Sequence, residues 1–189
     1  MSRPQKNLRL FIAAYPPLEI TKKLSSALNN LQLPEYRAVI AVQVHLTIQF
    51  IGDVPTKKLD ETIESVERAA SGLRAFDLNV KGLITLPVRG PTRLIAAETD
   101  CPSTLKELHR RLVTRLARSP RQKTSDRFLP HLTLCRFRNP DKDVSMNSPL
   151  DVPAFAVEQI ALMRSTLSNE GAKHHEIAAI KLLRNKSDA

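Results

Sequence analysis

The chain of 189 residues is 42% hydrophobic, which suits one compact domain or two small lobes with a packed core. Its 29 Lys and Arg against 19 Asp and Glu leave a formal charge of +10, pointing to a polyanionic partner, with nucleic acid ahead of an acidic membrane surface. No run approaches the roughly 20 apolar residues of a membrane span, the N-terminus before Leu8 has no apolar signal core, and Cys101 and Cys135 form no metal pattern, so a cytoplasmic monomer with no membrane partner is expected.

Residues 8–14 read as a buried strand. Pro16-Pro17 ends it and starts a helix to about residue 31, with Leu18, Leu24, Leu28 and Leu31 at helical spacing. After Pro34, residues 37–42 and 44–51 read as strands, and Gly52-Asp53-Val54-Pro55 as a turn. Thr56 is placed to cap a helix that runs to Ala70, with Leu59, Ile63, Val66 and Ala70 inward. Residues 76–86 read as one long strand, 87–91 as a loop and 94–98 as a strand. A helix over 103–116 carries Leu105, Leu108, Leu112 and Leu116 on its core stripe. Residues 119–130 form a basic loop, 131–137 a strand and 139–153 a polar loop; 155–166 and 176–182 form a final strand pair before a polar tail from Arg184. Short links between neighbouring strands favour an α+β fold with largely antiparallel sheets over a doubly wound one.

One stretch occurs twice: His45-Leu46-Thr47-Ile48 and His131-Leu132-Thr133-Leu134. On a strand, residues i and i+2 share a face. Each copy therefore sets a His and a Thr on one side and two apolar residues on the other. The echo extends outward. Arg9-Leu10-Phe11-Ile12-Ala13-Ala14 and Arg93-Leu94-Ile95-Ala96-Ala97 each precede a helix opened by proline. The pattern predicts a duplication, with halves over about 8–86 and 92–183. Packed about a pseudo-twofold axis, such halves form a single bilobal domain over 1–189, with sheets lining a central cleft, helices outside, and the two His/Thr faces opposed.

The residue types limit the chemistry. Each His is followed by Thr in place of the HExxH-type spacing of a zinc site, and no carboxylate recurs beside it, so no metal and no cofactor is expected. Cys135 has no counterpart in the first copy, and no nucleophile elbow or phosphate loop is present. Two opposed imidazoles suit in-line displacement at phosphorus, one taking a proton from the nucleophile and the other giving one to the leaving oxygen. The Thr47 and Thr133 hydroxyls are placed to bond nonbridging phosphate oxygens. Arg136 is a candidate for a charge-assisted bond to the same phosphate, although strict alternation points it away from His131. Phe11 is a candidate to stack on a base, or a core residue. His109, His174 and His175 read as surface residues. Arg110, Arg111, Arg115, Arg118, Arg121, Lys123 and Arg127 crowd before the second motif, either as a solvated face or as a guide for a nucleic acid.

At these residues the chain resembles the two-histidine phosphoesterase superfamily, and within it the RNA 2′,3′-cyclic phosphodiesterases, also called 2′-5′ RNA ligase-like proteins. The resemblance rests on the paired motifs together with Arg9-Leu10-Phe11-Ile12-Ala13, Phe50-Ile51-Gly52-Asp53-Val54, Pro130 and Arg164-Ser165-Thr166-Leu167. It implies a bilobal pseudo-symmetric α+β fold and an enzyme that opens 2′,3′-cyclic phosphate ends of RNA to 2′-phosphates, with reversible 2′-5′ ligation in some members. It implies His45 and His131 as the catalytic pair, Thr47 and Thr133 on the phosphate, and Arg136 as the basic residue after the second motif. It also suggests His131 as base and His45 as acid, which the symmetry of the motifs alone does not decide. The alternatives are a non-catalytic RNA-binding module and a phosphodiesterase for small cyclic nucleotides such as ADP-ribose 1″,2″-cyclic phosphate. The chain departs from the family in having Ala38-Val39 and no Trp before the first motif, and His174-His175 where an aromatic is usual.

Overall fold

A computed structural model of the chain describes residues 7–116, 128–139, 144, 147–168 and 171–184. The strands are β1 (Asn7–Ala14), β2 (Tyr36–Ala38), β3 (Leu46–Pro55), β4 (Phe76–Leu78), β5 (Val80–Leu86), β6 (Leu94–Thr99), β7 (His131–Phe137), β8 (Asn147–Pro149), β9 (Phe155–Val157), β10 (Gln159–Ser168) and β11 (Gly171–Lys181). The helices are α1 (Leu18–Asn29), α2 (Leu59–Ala70) and α3 (Ser103–Leu116). One sheet runs β11-β10-β1-β3-β7-β6-β5-β8, with β2 also on β7; β4 and β9 form a small second sheet. Every pairing between these strands is antiparallel.

The order is symmetric about its centre. β3 meets β7 at Leu46 and Leu132, the same position in the two motifs. Beside them, Ala13 and Ala14 face Thr47 and Leu46, while Ala96 and Ala97 face Thr133 and Leu132. In the small sheet the register again turns on itself, Phe76 with Val157 and Leu78 with Phe155. Strand pairing crosses the boundary between the sequence halves 8–86 and 92–183, because each half lends a strand to the other: β5 pairs with β6, and β10 with β1.

The core explains which side of the sheet is left for chemistry. Ile20, Leu24 and Leu28 of α1, Val66 and Ala69 of α2, and Leu105, Leu108 and Leu112 of α3 are buried with Leu10, Ile12, Leu46, Ile48, Leu132 and Leu134. The spacing puts each helix's apolar stripe on one face, and those stripes cover the Leu/Ile face of the motif strands. The opposite face carries the His/Thr positions and a smaller buried cluster of Phe11, Ala13, Ala161 and Met163.

Several boundaries differ from the sequence reading. The Gly52–Pro55 stretch belongs to β3. Gly52 takes φ +81 beside a register shift, so it bends the strand without ending it, as a glycine in a bulge does. Thr56 opens a 3-10 turn, and Lys58 occupies the N-cap of α2 without a side-chain cap bond. Residues 41–43 form a 3-10 turn rather than strand. The long strand over 76–86 breaks at Asn79, whose backbone N–H and side-chain amide donate to Asp100 at 3.0 and 2.7 Å. The 139–153 stretch contains β8, and β11 starts at Gly171, five residues before the strand read from sequence. Arg118, Arg121, Lys123 and Arg127, and the tail after Arg184, lie outside the described residues. Among the described residues no helix is long and apolar enough to cross a membrane.

Candidate active site

The two motifs hold their histidines identically. His45 Nδ1 lies 2.7 Å from the carbonyl oxygen of Gln43, and His131 Nδ1 lies 2.8 Å from that of Leu129. A carbonyl only accepts, so each Nδ1 carries the proton and donates it to the residue two positions earlier. Each Nε2 is left as the working nitrogen, with a lone pair when the ring is neutral. The local cause is the chain entering each strand: the segment before the motif turns so that its carbonyl faces the imidazole. His45, Thr47, His131 and Thr133 are all half-buried, while Leu46, Ile48, Leu132 and Leu134 are buried. Among the described residues neither threonine hydroxyl has a hydrogen-bond partner, so both are available to an anion.

The alternation that points Arg136 away from His131 is broken by a bulge. Thr133 pairs with Ala96 and Cys135 with Ile95, so Leu134 is an extra residue on β7. Leu134 and Cys135 are consecutively buried in the main core, and the side-chain parity is reset after them. Arg136 therefore returns to the His/Thr side, exposed, and its charge bears on His45. It has no carboxylate partner among the described residues. The first half repeats the device: Ala13 faces Thr47 and Ile12 faces Gln49, making Ile48 the extra residue. The counterpart of Arg136, five residues after its histidine, is Phe50. Phe50 is 67% exposed and has its ring 6.1 Å from Phe11. A base can stack on an exposed aromatic of this kind. The sequence carries the signal, an apolar ring at the position matching a cation, but only the bulge shows where it points.

Phe11 does not offer a stacking face. It is 2% exposed, with His45, His174 and Phe50 packed against it at 5.2, 4.9 and 6.1 Å. β1 is central in its half of the sheet and buried on both sides, so its cleft-side ring becomes the floor under the site.

His174, a surface residue in the sequence reading, lies edge-on to His45 with ring centroids 4.9 Å apart. Its Nδ1 is buried and has no hydrogen-bond partner among the described residues. Sequence reasoning passes over it because β11 begins earlier than its apolar pattern suggests. His109 is also not a bare surface residue. Its Nδ1–H donates to the carbonyl oxygen of the bulge residue Ile48 at 2.8 Å, and its ring stacks on Phe128 at 3.9 Å. It thus ties α3 to the first motif and to the approach of the second. His175 is exposed.

The electrostatics follow from burial and neighbours. Burial pulls the His45 pKa down to about 4 against the opposing bond to Gln43, and the positive fields of His174, Arg136 and His131 lower it further. Burial, then His175, lowers that of His174. Burial, then Glu176, pushes the Tyr15 phenol up to about 12; its ring is 5.4 Å from His45 and its hydroxyl is buried without a partner among the described residues. The site is therefore a neutral imidazole set among latent positive charge and free donors. Such an arrangement gains most from an anion that brings negative charge to it. Among the described residues no group of three or more His, Cys, Asp or Glu is placed to hold a metal ion.

Known proteins repeat this architecture. A Thermotoga maritima protein named RNA 2′,3′-cyclic phosphodiesterase is 27% identical over 169 residues, covering 87% of this chain and 90% of its own. An Aquifex aeolicus protein of the same name is 29% identical over 136 residues, covering 68% and 72%. The crystal structure of a Thermus thermophilus protein superposes with a TM-score of 0.79 at 25% identity, over 92% of this chain and 97% of that one. Escherichia coli LigT complexed with NADP+ superposes with a TM-score of 0.79 at 24% identity, over 94% and 99%, and shares the fold. The family model for the 2′-5′ RNA ligase superfamily matches residues 16–169, a span that contains both His-x-Thr strands and the bulge that turns Arg136 toward them. The chain belongs to the 2′-5′ RNA ligase superfamily.

Proposed function

We propose that the protein hydrolyses 2′,3′-cyclic phosphate ends of RNA to 2′-phosphates. The observation that carries this reading is the matched pair of imidazoles, each with Nδ1–H tied to a backbone carbonyl and Nε2 left for the face that also presents the hydroxyls of Thr47 and Thr133 and the guanidinium of Arg136. The names of the Thermotoga and Aquifex relatives support the substrate class, and the charge of +10 suits an RNA partner.

In the proposed reaction one neutral Nε2 takes a proton from water as its oxygen attacks phosphorus. The P–O3′ bond opposite breaks, and the other imidazole, protonated, delivers its proton to O3′. The phosphate remains on O2′. Thr47, Thr133 and Arg136 hold the nonbridging oxygens, where charge is greatest in the transition state. Replacing water by the 5′-hydroxyl of a second RNA end runs the same geometry as 2′-5′ ligation. The chemistry asks nothing of a metal, and the protein acts in the cytoplasm as a monomer.

The test is an RNA oligonucleotide with a 2′,3′-cyclic phosphate end, incubated with the protein and a chelator. The expected product is the 2′-phosphate. A 3′-phosphate product assigns a different direction of ring opening. RNA binding without turnover reduces the protein to a binding module, and preferential turnover of a small cyclic nucleotide in direct competition moves the substrate away from RNA ends.

A further inference from the structure

The two proposed acid–base histidines sit on neighbouring strands, yet the nearest ring to His45 in the described structure is on another strand. His174 of β11 lies edge-on to it, with centroids 4.9 Å apart and planes at 82°. The two rings share a floor, Phe11, at 5.2 and 4.9 Å. Phe11 is 2% exposed, so neither imidazole can swing away into the space below. Antiparallel pairing of His174 with Ser165 on β10 fixes its backbone. The contact is thus set by the sheet and does not depend on a loose side chain.

The surroundings of this pair are poor in negative charge. Tyr15 lies on one side, 5.4 Å from His45, with its hydroxyl buried and unpartnered among the described residues. Arg136 and His131 of β7 bear on His45, and His175 bears on His174. Among the described residues the carboxylate acting nearby is Glu176, whose charge is felt by Tyr15. His174 Nδ1 is itself buried without a partner among the described residues; protonating it there leaves a charged donor with none of them to receive it, which is more costly than the neutral orphan. Two imidazolium rings in contact, over an apolar floor and with no carboxylate between them, repel strongly.

We propose that His174 is a positioning residue for His45, and that the two imidazoles form a coupled pair in which an imidazolium on either ring opposes protonation of the other in the substrate-free protein. His174 helps to keep His45 neutral before substrate arrives. Near neutral pH a second imidazolium forms in the pair only with an anion that supplies the missing negative charge. This last step rests on the proposed phosphodiester substrate, whereas the coupling does not. The burial-driven lowering at both rings, with His174 among the groups that depress His45, agrees with this arrangement.

The test is an NMR titration of the free protein with isotopically labelled histidine, so its result is independent of turnover. In the wild type the His45 midpoint is expected at about 4. In His174→Phe, which keeps an aromatic edge on Phe11 and His45 but carries no proton, the His45 midpoint should rise by about one pH unit, roughly tenfold in proton affinity. His174→Gln should shift it the same way. An unchanged midpoint in His174→Phe overturns the proposal, and so does a shift seen only in His174→Gln, which reports lost packing. The Nδ1–H tautomer of His45, read from the same spectra, shows whether its bond to Gln43 has survived in each variant.

Discussion

Leu46 lies opposite Leu132 where β3 meets β7. Extending that register by one residue each way sets His45 level with Thr133 and Thr47 level with His131. In that register each cross-strand pair takes its His from one motif and its Thr from the other.

The two histidines are consequently expected to fail as a unit. His45→Ala and His131→Ala should each lower kcat by roughly 10²–10⁴-fold, the range of a general acid or base. The double variant should lose little more than the worse single one, because both proton transfers belong to one displacement. Additive losses, measured as kcat on a cyclic-phosphate RNA, would show two independent contributions instead.

Arg136 gives a sharper test of the bulge. If Leu134 resets the strand so that Arg136 reaches the phosphate, Arg136→Met should lower kcat/KM by about ten- to a hundredfold, as for loss of a hydrogen bond to a charged group. The loss should be similar for an oligonucleotide and for a mononucleotide cyclic phosphate, since both present the same phosphate. The variant should also raise the His45 midpoint, because one of the charges that depress it is gone. A loss confined to oligonucleotides would place Arg136 on the RNA backbone.

The duplicated motif, the antiparallel sheet class and the His/Thr strands are legible in the sequence because each rests on a local pattern: period-two alternation, a repeated tripeptide and apolar stripes on the helices. What is not legible depends on register. The bulges at Ile48 and Leu134 are invisible in a run of apolar residues, yet they decide which side Arg136 and Phe50 take. His174 stays hidden because its strand has polar residues where an isolated reading looks for an apolar run. Phe11 reads as a stacking candidate because neither the centrality of β1 nor the rings above it can be seen in residues 9–14.

Position also separates the basic residues. Arg110, Arg111 and Arg115 sit on α3, which packs against the Leu/Ile side of the motif strands, on the face opposite the histidines. Arg110 and Arg111 both bond Glu107, at 2.7 and 2.8 Å. Arg110→Glu with Arg115→Glu should leave KM for a mononucleotide cyclic phosphate unchanged. Any effect should fall on longer RNA and weaken as salt is raised. A raised KM for the mononucleotide would contradict the separation of the two faces.

The depressed His45 pKa carries a stability consequence whose sign is fixed. The folded value of about 4 lies below the ordinary 6.5, so between these values the unfolded chain binds more protons and stability rises with pH. The contribution is complete above pH 6.5 and is lost as pH falls through about 4. It amounts to about 3 kcal/mol across that window. Glu107, held at about 2 by Arg110 and Arg111, acts in the same direction from its ordinary 4.5 downward, largely beneath this window. His45→Phe should flatten the pH dependence of the urea midpoint between pH 4 and 6.5; an unchanged slope would mean that His45 is not the group responsible.

The assignment of acid and base cannot come from a pH profile. With His45 as base, the productive state has His45 neutral and His131 protonated. With the roles exchanged, the productive state carries the same number of protons, distributed the other way. Both assignments therefore give a bell in kcat/KM, with an acid limb near the His45 value of about 4 and limbs that report macroscopic constants of the pair. The neutral state of His45 in the free protein makes it the ready base, whereas the family resemblance assigns it the acid. Leaving-group ability separates the two. An activated phosphodiester whose leaving group needs no proton bypasses the acid and still requires the base. If His45 is the acid, His45→Ala should recover most of the lost rate on that substrate while His131→Ala stays slow; the opposite rescue makes His45 the base. Rescue of neither variant, together with a flat wild-type profile, would remove both histidines from proton transfer.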